Sequence, residues 1–344
     1  MNHANHATRG PLLIAACESG MPFAQKVFNH LKAKAKTEEA RDMIRFVKSH
    51  EQHFANSEVK TVIDESVRGA DVYIFQDVEN SVTGYSVDEN LRSLLTMIDA
   101  ANRSSAGHIS AVIPVFPYAR QDKPKGREGI TSSRVAQSLE QTGASEVITL
   151  DVHNEAIIGF FRQAVLDNLH ASKNIMEYVK AKIDRRHLVV SSADVNGAKR
   201  AEDYAETLRK RFVICYKTRD PSKPNSVKEE KLLGKVRDCD VLVVDDMIDT
   251  AGTMGKVCEV LKAKRAKKIY LACSLPLFNG NAISILNKLH EDGLLEAVIG
   301  TDAVYHGDDF AAQHEWFKTA SVVRYFAKVI NNLNKNMSIS QLLE

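Results

Sequence analysis

The chain has 344 residues, and its 46 Lys and Arg against 44 Asp and Glu give a formal net charge of +2. This balance argues against non-specific nucleic-acid binding, and no apolar run is long enough to predict a membrane span. Five cysteines without CxxC spacing predict neither a disulfide framework nor a zinc site, so we expect reduced thiols and a cytoplasmic protein.

Strands and helices alternate along the N-terminal half. The apolar patterns predict strands at 11–17, 59–63, 71–75, 109–115 and 147–152, and helices at 22–36, 88–102 and 131–141. Residues 1–10 are polar and are predicted to be disordered. The charged segment 37–52 is predicted to extend or follow the first helix. The alternation is typical of a mostly parallel sheet flanked by helices.

The C-terminal half repeats this architecture. Strands are predicted at 188–191, 212–216, 241–244, 269–274 and 297–300, and helices at 172–182, 198–209, 254–264, 282–289 and 321–331. We therefore expect two α/β domains, at 11–168 and 169–323, with the segment 324–344 packing back on the first.

The stretch DVLVVDDMIDTAGT, from Asp240 to Thr253, carries the most specific chemistry. Two carboxylates, Asp245 and Asp246, stand where a buried strand is predicted to end, and they can accept protons from the hydroxyls of a ribose. Small residues and a helix N-terminus follow, which favours a phosphate. The stretch predicts a ribose 5-phosphate site; the alternative is an ordinary strand-to-helix turn with a solvated acidic cap. The residues of the predicted loop are Asp249, Thr250, Ala251, Gly252 and Thr253.

Three further positions follow predicted strands. Arg120 and Gln121 can pair with a polyphosphate or read a base edge, although a lone Arg-Gln-Asp is usually a solvated loop. His153 alone is more often structural than a ligand. Asp194 precedes a predicted helix, and Mg²⁺ prefers such oxygen ligands together with substrate phosphates.

From about Pro11 to its C-terminus, the chain resembles ribose-phosphate diphosphokinases, which make phosphoribosyl diphosphate (PRPP). The landmarks are ESVRG from Glu65, VIP from Val112 through Asp122, TLDVH from Thr149, GFF with DNL, AKR from Ala198, and the loop from Asp245 to Thr253. Phosphoribosyltransferases share only the last of these. The resemblance implies two tandem phosphoribosyltransferase-like α/β domains, an ATP-binding one at 11–168 and a ribose 5-phosphate-binding one at 169–323, each with a mainly parallel sheet flanked by helices.

The resemblance also implies the reaction and its residues. The diphosphoryl group of MgATP moves to the 1-hydroxyl of ribose 5-phosphate, giving PRPP and AMP for nucleotide biosynthesis. Lys217 and Arg219, at the base of a flexible loop at 221–230, match the catalytic cations, and His153 and Asp194 match the Mg²⁺ positions. The residues that match the ATP site are Phe54, Asn56, Glu58, Arg120 and Gln121; those that match the ribose 5-phosphate site are Asp245, Asp246, Asp249, Thr250, Ala251, Gly252 and Thr253.

The family implies a homo-oligomer, a hexamer in which a neighbouring subunit completes the ATP pocket. Inorganic phosphate is a possible activator at a separate site, which Ser66, Arg68, Ser338 and Ser340 match in part. The chain departs from the family at 195–196, where Val-Asn replaces the usual Ala-Gly, and in a shorter loop after Arg120.

Three other functions compete with this interpretation. A non-catalytic homologue that regulates a true synthetase would be expected to lose catalytic residues, but Lys217, Arg219, His153 and Asp194 are present. A phosphoribosyltransferase or phosphoribosyl-binding regulator would leave the N-terminal half unexplained. A simple nucleotide-binding module would leave the two cations without a purpose.

Overall fold

The computed structural model describes residues 8–124, 126–219 and 227–343, with the backbone alone at 217–219 and 227–230. The chain divides into two compact units. The first runs to His170 and also contains Asp302–His306 and the C-terminal residues from Val322. The second contains Ala171–Thr301 and Gly307–Ser321. Each unit has a mainly parallel sheet flanked by helices, which confirms the predicted fold class.

The elements follow one another in an alternating order. Those before residue 170 are β1 (Leu12–Ala16), α1 (Met21–Lys34), α2 (Glu38–Asp42), β2 (Ile44–Phe46), β3 (Ser49–His53), β4 (Val59–Ile63), β5 (Asp71–Phe75), α3 (Val87–Arg103), β6 (His108–Val112), α4 (Thr131–Thr142), β7 (Glu146–Leu150) and β8 (Val165–Leu169). Those after it are α5 (Ser172–Lys182), β9 (Leu188–Ser192), α6 (Ala198–Leu208), β10 (Arg211–Arg219), β11 (Val227–Leu233), β12 (Asp240–Ile248), α7 (Gly252–Ala263), β13 (Ile269–Pro276), α8 (Ala282–Glu291), β14 (Ala297–Gly300), α9 (Phe310–Gln313), β15 (Phe317–Thr319), α10 (Val323–Asn334) and α11 (Ser340–Leu343). Short 3-10 turns lie at Glu18–Gly20 and Glu155–Phe160.

The sheet of the first unit has the strand order β2-β1-β5-β6-β7-β8, and its paired strands are all parallel. Strands β1, β5 and β7 are buried along their whole length because they are mostly apolar and are covered on both faces. Helices α1 and α10 contribute Phe23 and Phe326, whose rings pack edge to face with centroids 5.1 Å apart. Strands β3 and β4 form a separate antiparallel hairpin.

The predicted disorder of residues 1–10 does not extend to Arg9. Its N–H donates to the carbonyl of Asn334 at the end of α10 (2.8 Å), and its guanidinium pairs with Glu146 at 3.0 Å. Asn334 in turn donates to the buried carboxylate of Asp71 (3.0 Å). These contacts fix Arg9 because they satisfy buried polar groups that would otherwise be costly. Residues 1–7 lie outside the described part of the chain.

The sheet of the second unit has the order β11-β10-β9-β12-β13-β14-β15. Its strands pair in parallel except for β10 and β11, which are antiparallel. Strand β12 lies between β9 and β13, with Val244 opposite Ser192. The carboxyl ends of β9 and β12 therefore lie side by side, at the edge where open α/β sheets bind ligands.

The segment 37–52, predicted to extend or follow the first helix, contains α2, β2 and most of β3. The sequence SHEQH of β3 has no apolar alternation, so it forms a strand through its pairing with β4 rather than through local propensity. Strands β8, β11 and β15 were not predicted either, because each is short or polar. In the part of the chain that the structure describes, no helix is both long and apolar enough to cross a membrane.

Candidate active site

The loop after β12 holds the residues predicted to bind ribose 5-phosphate. Strand β12 continues to Ile248, beyond the predicted end at Val244, because Met247 and Ile248 keep their pairing with β13. Asp245 and Asp246 therefore lie within the strand rather than at its end. The sheet thus holds the backbone of both carboxylates in a fixed position.

The two carboxylates lie beside each other, with Asp246 buried and Asp245 half-buried. Asp246 is 8% exposed, and its N–H donates to Asp245 Oδ1 at 2.9 Å. Burial and then the charge of Asp246 hold the pKa of Asp245 well above its usual range, whereas the guanidinium of Arg200 opposes this rise. Arg200, on α6, was not predicted as a site residue, although it belongs to the AKR landmark. The pair can exchange a proton or accept hydrogen bonds from ligand hydroxyls.

The turn from β12 into α7 has the features of an anion-binding site. Ala251 has the left-handed φ of +60° and caps α7, which begins at Gly252, two residues before the predicted start. A Cβ added at Gly252 would meet nothing within 4 Å, so the start of α7 is open to solvent or a ligand. Asp249 accepts from the side chain of Asn279 (3.0 Å), and Thr250 is exposed. The first N–H groups of α7 and the open space together suit a phosphate.

Asp194 lies in the turn that joins β9 to α6, and β9 is the strand next to β12. Its Oδ1 accepts the N–H of Gly197 at 3.0 Å, and the side chain is half-buried. The hydroxyl of Ser192 is fully buried and has no hydrogen-bond partner among the described residues. Val195 is 62% exposed, and Asn196 is exposed too, so the departure from the family lies on the surface.

Lys217 and Arg219 lie on β10, and their side chains are outside the described part of the chain. The strand runs to Arg219, beyond the predicted end at Tyr216, because it pairs with β11. The predicted flexible loop is shorter than expected, since residues 227–230 belong to β11. Residues 220–226 lie outside the described residues.

In the first unit, the turn of the β3–β4 hairpin holds Phe54, Asn56 and Glu58. The N–H of Phe54 donates to the carbonyl of Glu58 (2.9 Å), and the N–H of Glu58 donates to Asn56 Oδ1 (3.2 Å). Asn56 therefore shapes the turn. Phe54 is 42% exposed, an unfavourable position for an aromatic ring that binds nothing.

Arg120 and Gln121 follow β6 in the same unit. Arg120 is exposed. The side-chain oxygen of Gln121 accepts from the hydroxyl of Thr131 (2.5 Å), and its backbone carbonyl accepts from Ser132 Oγ (2.9 Å). These contacts fix Gln121 to the start of α4.

His153 is exposed in the turn after β7, in the first unit. The preceding Asp151 is buried with a left-handed φ of +45°, and its Oδ1 lies 3.1 Å from His170 Nδ1. The N–H of Val152 donates to Asn168 Oδ1 at 2.9 Å. The turn that presents His153 is thus braced by β8, and the pairing of Asp151 with His170 was not predicted because the two residues are distant in sequence.

The four residues predicted for a regulatory phosphate site are exposed side chains of the first unit. Ser66 and Arg68 lie in the turn between β4 and β5. Ser338 and Ser340 follow α10 and contact each other, with their Oγ atoms 3.2 Å apart. The structure gives each pair an accessible position.

Comparison with known proteins gives a consistent result. Residues 12–143 match the model for the N-terminal domain of ribose phosphate pyrophosphokinase, and residues 162–289 match the phosphoribosyl transferase domain. Ribose-phosphate pyrophosphokinase A of Dictyostelium discoideum is 40% identical over 86% of this chain and 89% of its own. The ribose-phosphate pyrophosphokinase of Wolinella succinogenes is 40% identical over 84% and 88%.

A solved structure agrees with these sequence matches. The phosphoribosylpyrophosphate synthetase from Mycobacterium smegmatis superposes with a TM-score of 0.82. The superposition covers 94% of this chain and 99% of that one, at 27% identity. The similarity therefore spans both units of the chain rather than the loop after β12 alone.

Proposed function

Because this chain belongs to the ribose-phosphate pyrophosphokinase family, we propose which of its residues bind each substrate and which promote the reaction. The chain is an enzyme, a transferase that makes PRPP and AMP from ribose 5-phosphate and ATP. A non-catalytic regulatory homologue, the alternative raised by the sequence, is favoured by no feature of the described residues.

Ribose 5-phosphate binds at the carboxyl edge of the second sheet. The observation that carries this assignment is the juxtaposition of the acidic pair Asp245 and Asp246, on β12, with the open N-terminus of α7 at Gly252. The carboxylates accept from the ribose hydroxyls. The phosphate lies against the turn at 249–253, where Thr250 and Thr253 add hydroxyl donors.

ATP binds in the first unit. Phe54 on the hairpin turn offers an exposed ring for the adenine, and Arg120 is an exposed cation for the polyphosphate. Asn56 and Glu58 hold the hairpin turn or contact the base, and Gln121 is fixed beside Arg120. An exposed aromatic turn suits a pocket completed by a second subunit, so we propose a homo-oligomer, a hexamer by family resemblance.

The reaction forms a bond between the 1-oxygen of the ribose and the β-phosphorus of ATP. The bond from that phosphorus to the bridging oxygen of the α-phosphate breaks, AMP leaves with the bridging oxygen, and the hydroxyl proton is released. Such transfers depend on positioning and charge neutralisation. Lys217 and Arg219, on the long antiparallel pair β10–β11, supply positive charge to the transferring group.

The residues of this chain fit Mg²⁺. Asp194 is a half-buried carboxylate held by the N–H of Gly197, and its strand adjoins that of Asp245 and Asp246. In the second unit Asp194 would be a ligand of the ion. In the first unit His153 would contact such an ion through water or as a minor ligand. When bound, Mg²⁺ neutralises phosphate charge and so makes the β-phosphorus accessible to a nucleophile.

The protein is further proposed to have a regulatory phosphate site and a cytoplasmic location. Inorganic phosphate is a possible activator that binds near Ser66, Arg68, Ser338 and Ser340, where exposed hydroxyls and a guanidinium can donate to an anion. The five cysteines form no disulfide in the part of the chain that the structure describes, which suits the cytoplasm.

The test is AMP release from ATP and Mg²⁺, with and without ribose 5-phosphate and inorganic phosphate. We expect AMP formation that requires ribose 5-phosphate, and a faster rate with phosphate if the regulatory residues act as proposed. Absence of AMP under every condition would instead support the regulatory homologue. It would then point to Val-Asn at 195–196 as the departure from the family that abolishes the reaction.

A further inference from the structure

A cluster of one histidine and two carboxylates lies beside the β3–β4 hairpin, next to its turn. Glu51 and His53 alternate on β3 and so share a face of the strand, and Glu18 belongs to the 3-10 turn after β1. Their ligand atoms all lie within 4.8 Å of one another, the one such group found among the described residues. His53 Nε2 is 3.2 Å from Glu51 Oε2 and 3.8 Å from Glu18 Oε2. Zinc–nitrogen and zinc–oxygen bonds of about 2.0–2.2 Å place two tetrahedral ligands about 3.4 Å apart.

Neighbouring groups already hold these ligands in place. The side chain of Glu51 is 3% exposed, and it accepts from the N–H of Glu18 (2.7 Å) and from Ser93 Oγ (2.7 Å). The ring of His53 is stacked on that of Tyr85, with centroids 4.0 Å apart and planes at 7°. The hydroxyl of Tyr85 donates to Glu18 at 3.3 Å. Such outer contacts orient metal ligands and reduce the entropy lost when an ion binds.

The charge around the cluster favours a cation. Glu89 also interacts electrostatically with His53 and Tyr85, so three carboxylates surround a single imidazole. A divalent ion would balance two of these charges.

We propose that Glu18, Glu51 and His53 bind a divalent first-row transition-metal ion such as Zn²⁺, with water completing the coordination. An imidazole with two carboxylates suits such an ion better than Mg²⁺, which prefers oxygen ligands throughout. The ion would join the hairpin to the turn after β1, directly before Phe54. This site is separate from His153 and Asp194, and it does not depend on the proposed reaction.

The test is metal titration of the full-length protein after treatment with a chelator. Co²⁺ reports binding through its visible absorption, and Zn²⁺ affinity is measured by competition with a chromophoric chelator. We expect one equivalent bound to this cluster in the wild type and in H153A. H53A and E18Q should weaken it by at least about 100-fold, and S93A, which loses an outer contact, by about 10-fold.

His50→Ala is the matched control, because His50 lies on the same strand but pairs with Asp64 and is exposed. H50A should bind like the wild type, and Zn²⁺ should raise the unfolding temperature of both but not that of H53A. Glu18 is 53% exposed in its side chain, so E18Q keeps the test valid even if H53A folds poorly. Unchanged binding in E18Q, or no bound equivalent in the wild type, would overturn the proposal and leave a hydrogen-bonded cluster around a histidine.

Discussion

The loop after β12 and the β3–β4 hairpin carry the residues proposed to bind the two substrates, but their structural settings differ. The loop leaves a central strand that is buried on both faces and is paired with parallel neighbours on both sides. The hairpin is a separate two-stranded sheet of mostly polar residues, with the exposed Phe54 at its turn. A buried sheet holds the loop rigidly, whereas a two-stranded sheet is marginal without further contacts.

This difference in structural setting predicts that substitutions in the loop and in the hairpin affect stability and ligand binding differently. Around β12 the core supports the left-handed Ala251 and the half-buried Asp245. The hairpin turn also holds a left-handed residue, Ser57, but the hairpin has only two strands, so its contribution to binding depends on contacts with a ligand, a second subunit or a metal ion. Substitutions in the loop should therefore separate stability from activity more sharply than substitutions in the hairpin.

The largest effect is expected at Lys217, on β10 of the same sheet as β12. K217A should lower turnover by about 100- to 1,000-fold because it removes charge that stabilises the transferring group. Steady-state AMP formation with both substrates saturating measures this. Lys235→Ala, an exposed lysine just beyond β11, is the control and should keep full turnover. Unchanged turnover in K217A would remove Lys217 from the mechanism.

Gly252→Ala tests the proposed phosphate-binding turn at 249–253. The added methyl meets no protein atom, so stability should stay equal or rise by about 0.5–1 kcal/mol. The KM for ribose 5-phosphate should rise about 10- to 100-fold, because the methyl occupies space meant for the phosphate. Gly255→Ala, on the same helix and in ordinary contact with Ile285 and Leu289, is the control and should leave KM unchanged. An unaltered KM in G252A would place the phosphate elsewhere.

Phe54→Ala tests the hairpin. The ring is 42% exposed, so stability should barely change. The KM for ATP should rise by about 10-fold through lost stacking, and the KM for ribose 5-phosphate should stay the same. Met43→Ala, which removes a side chain of similar exposure outside the hairpin, is the control. Equal changes in both KM values would contradict the separation of the two sites.

The smallest effect is on stability, at Asp245. Its folded-state pKa is raised, so the folded protein binds more protons than the unfolded chain and loses stability as pH rises from about 4. D245N removes this ionisation and should stabilise the protein by about 0.5–2 kcal/mol, more at pH 8 than at pH 5, while lowering activity. Urea unfolding at both pH values measures it. Asp240→Asn, at the other end of β12, should show no such pH-dependent gain.

The region around β12 could be predicted from the sequence because its information is local. The run from Val241 to Val244 identifies a buried strand. The acidic and small residues that follow it indicate a site for the ribose hydroxyls and the phosphate. The end of the strand was missed because β13 continues the pairing through Ile248. The role of Arg200 was missed because it depends on the adjacency of α6 and β12.

The hairpin region could not be predicted in the same way. Strand β3 has no apolar alternation and exists through pairing with β4, so the sequence did not predict a strand there. Glu18 and Glu51 are 33 positions apart, and only the fold brings them to His53. Phe54, Asn56 and Glu58 were found by resemblance to a family rather than by any pattern in this chain.

Hydrogen exchange measured by mass spectrometry, with one substrate added at a time, tests the assignment of the two substrates most directly. Ribose 5-phosphate alone should slow amide exchange at 250–254, where the N-terminus of α7 meets the phosphate. A non-hydrolysable ATP analogue alone should slow exchange at 54–58 and leave 250–254 unchanged. Protection of the hairpin by ribose 5-phosphate, or none at the start of α7, would contradict the account.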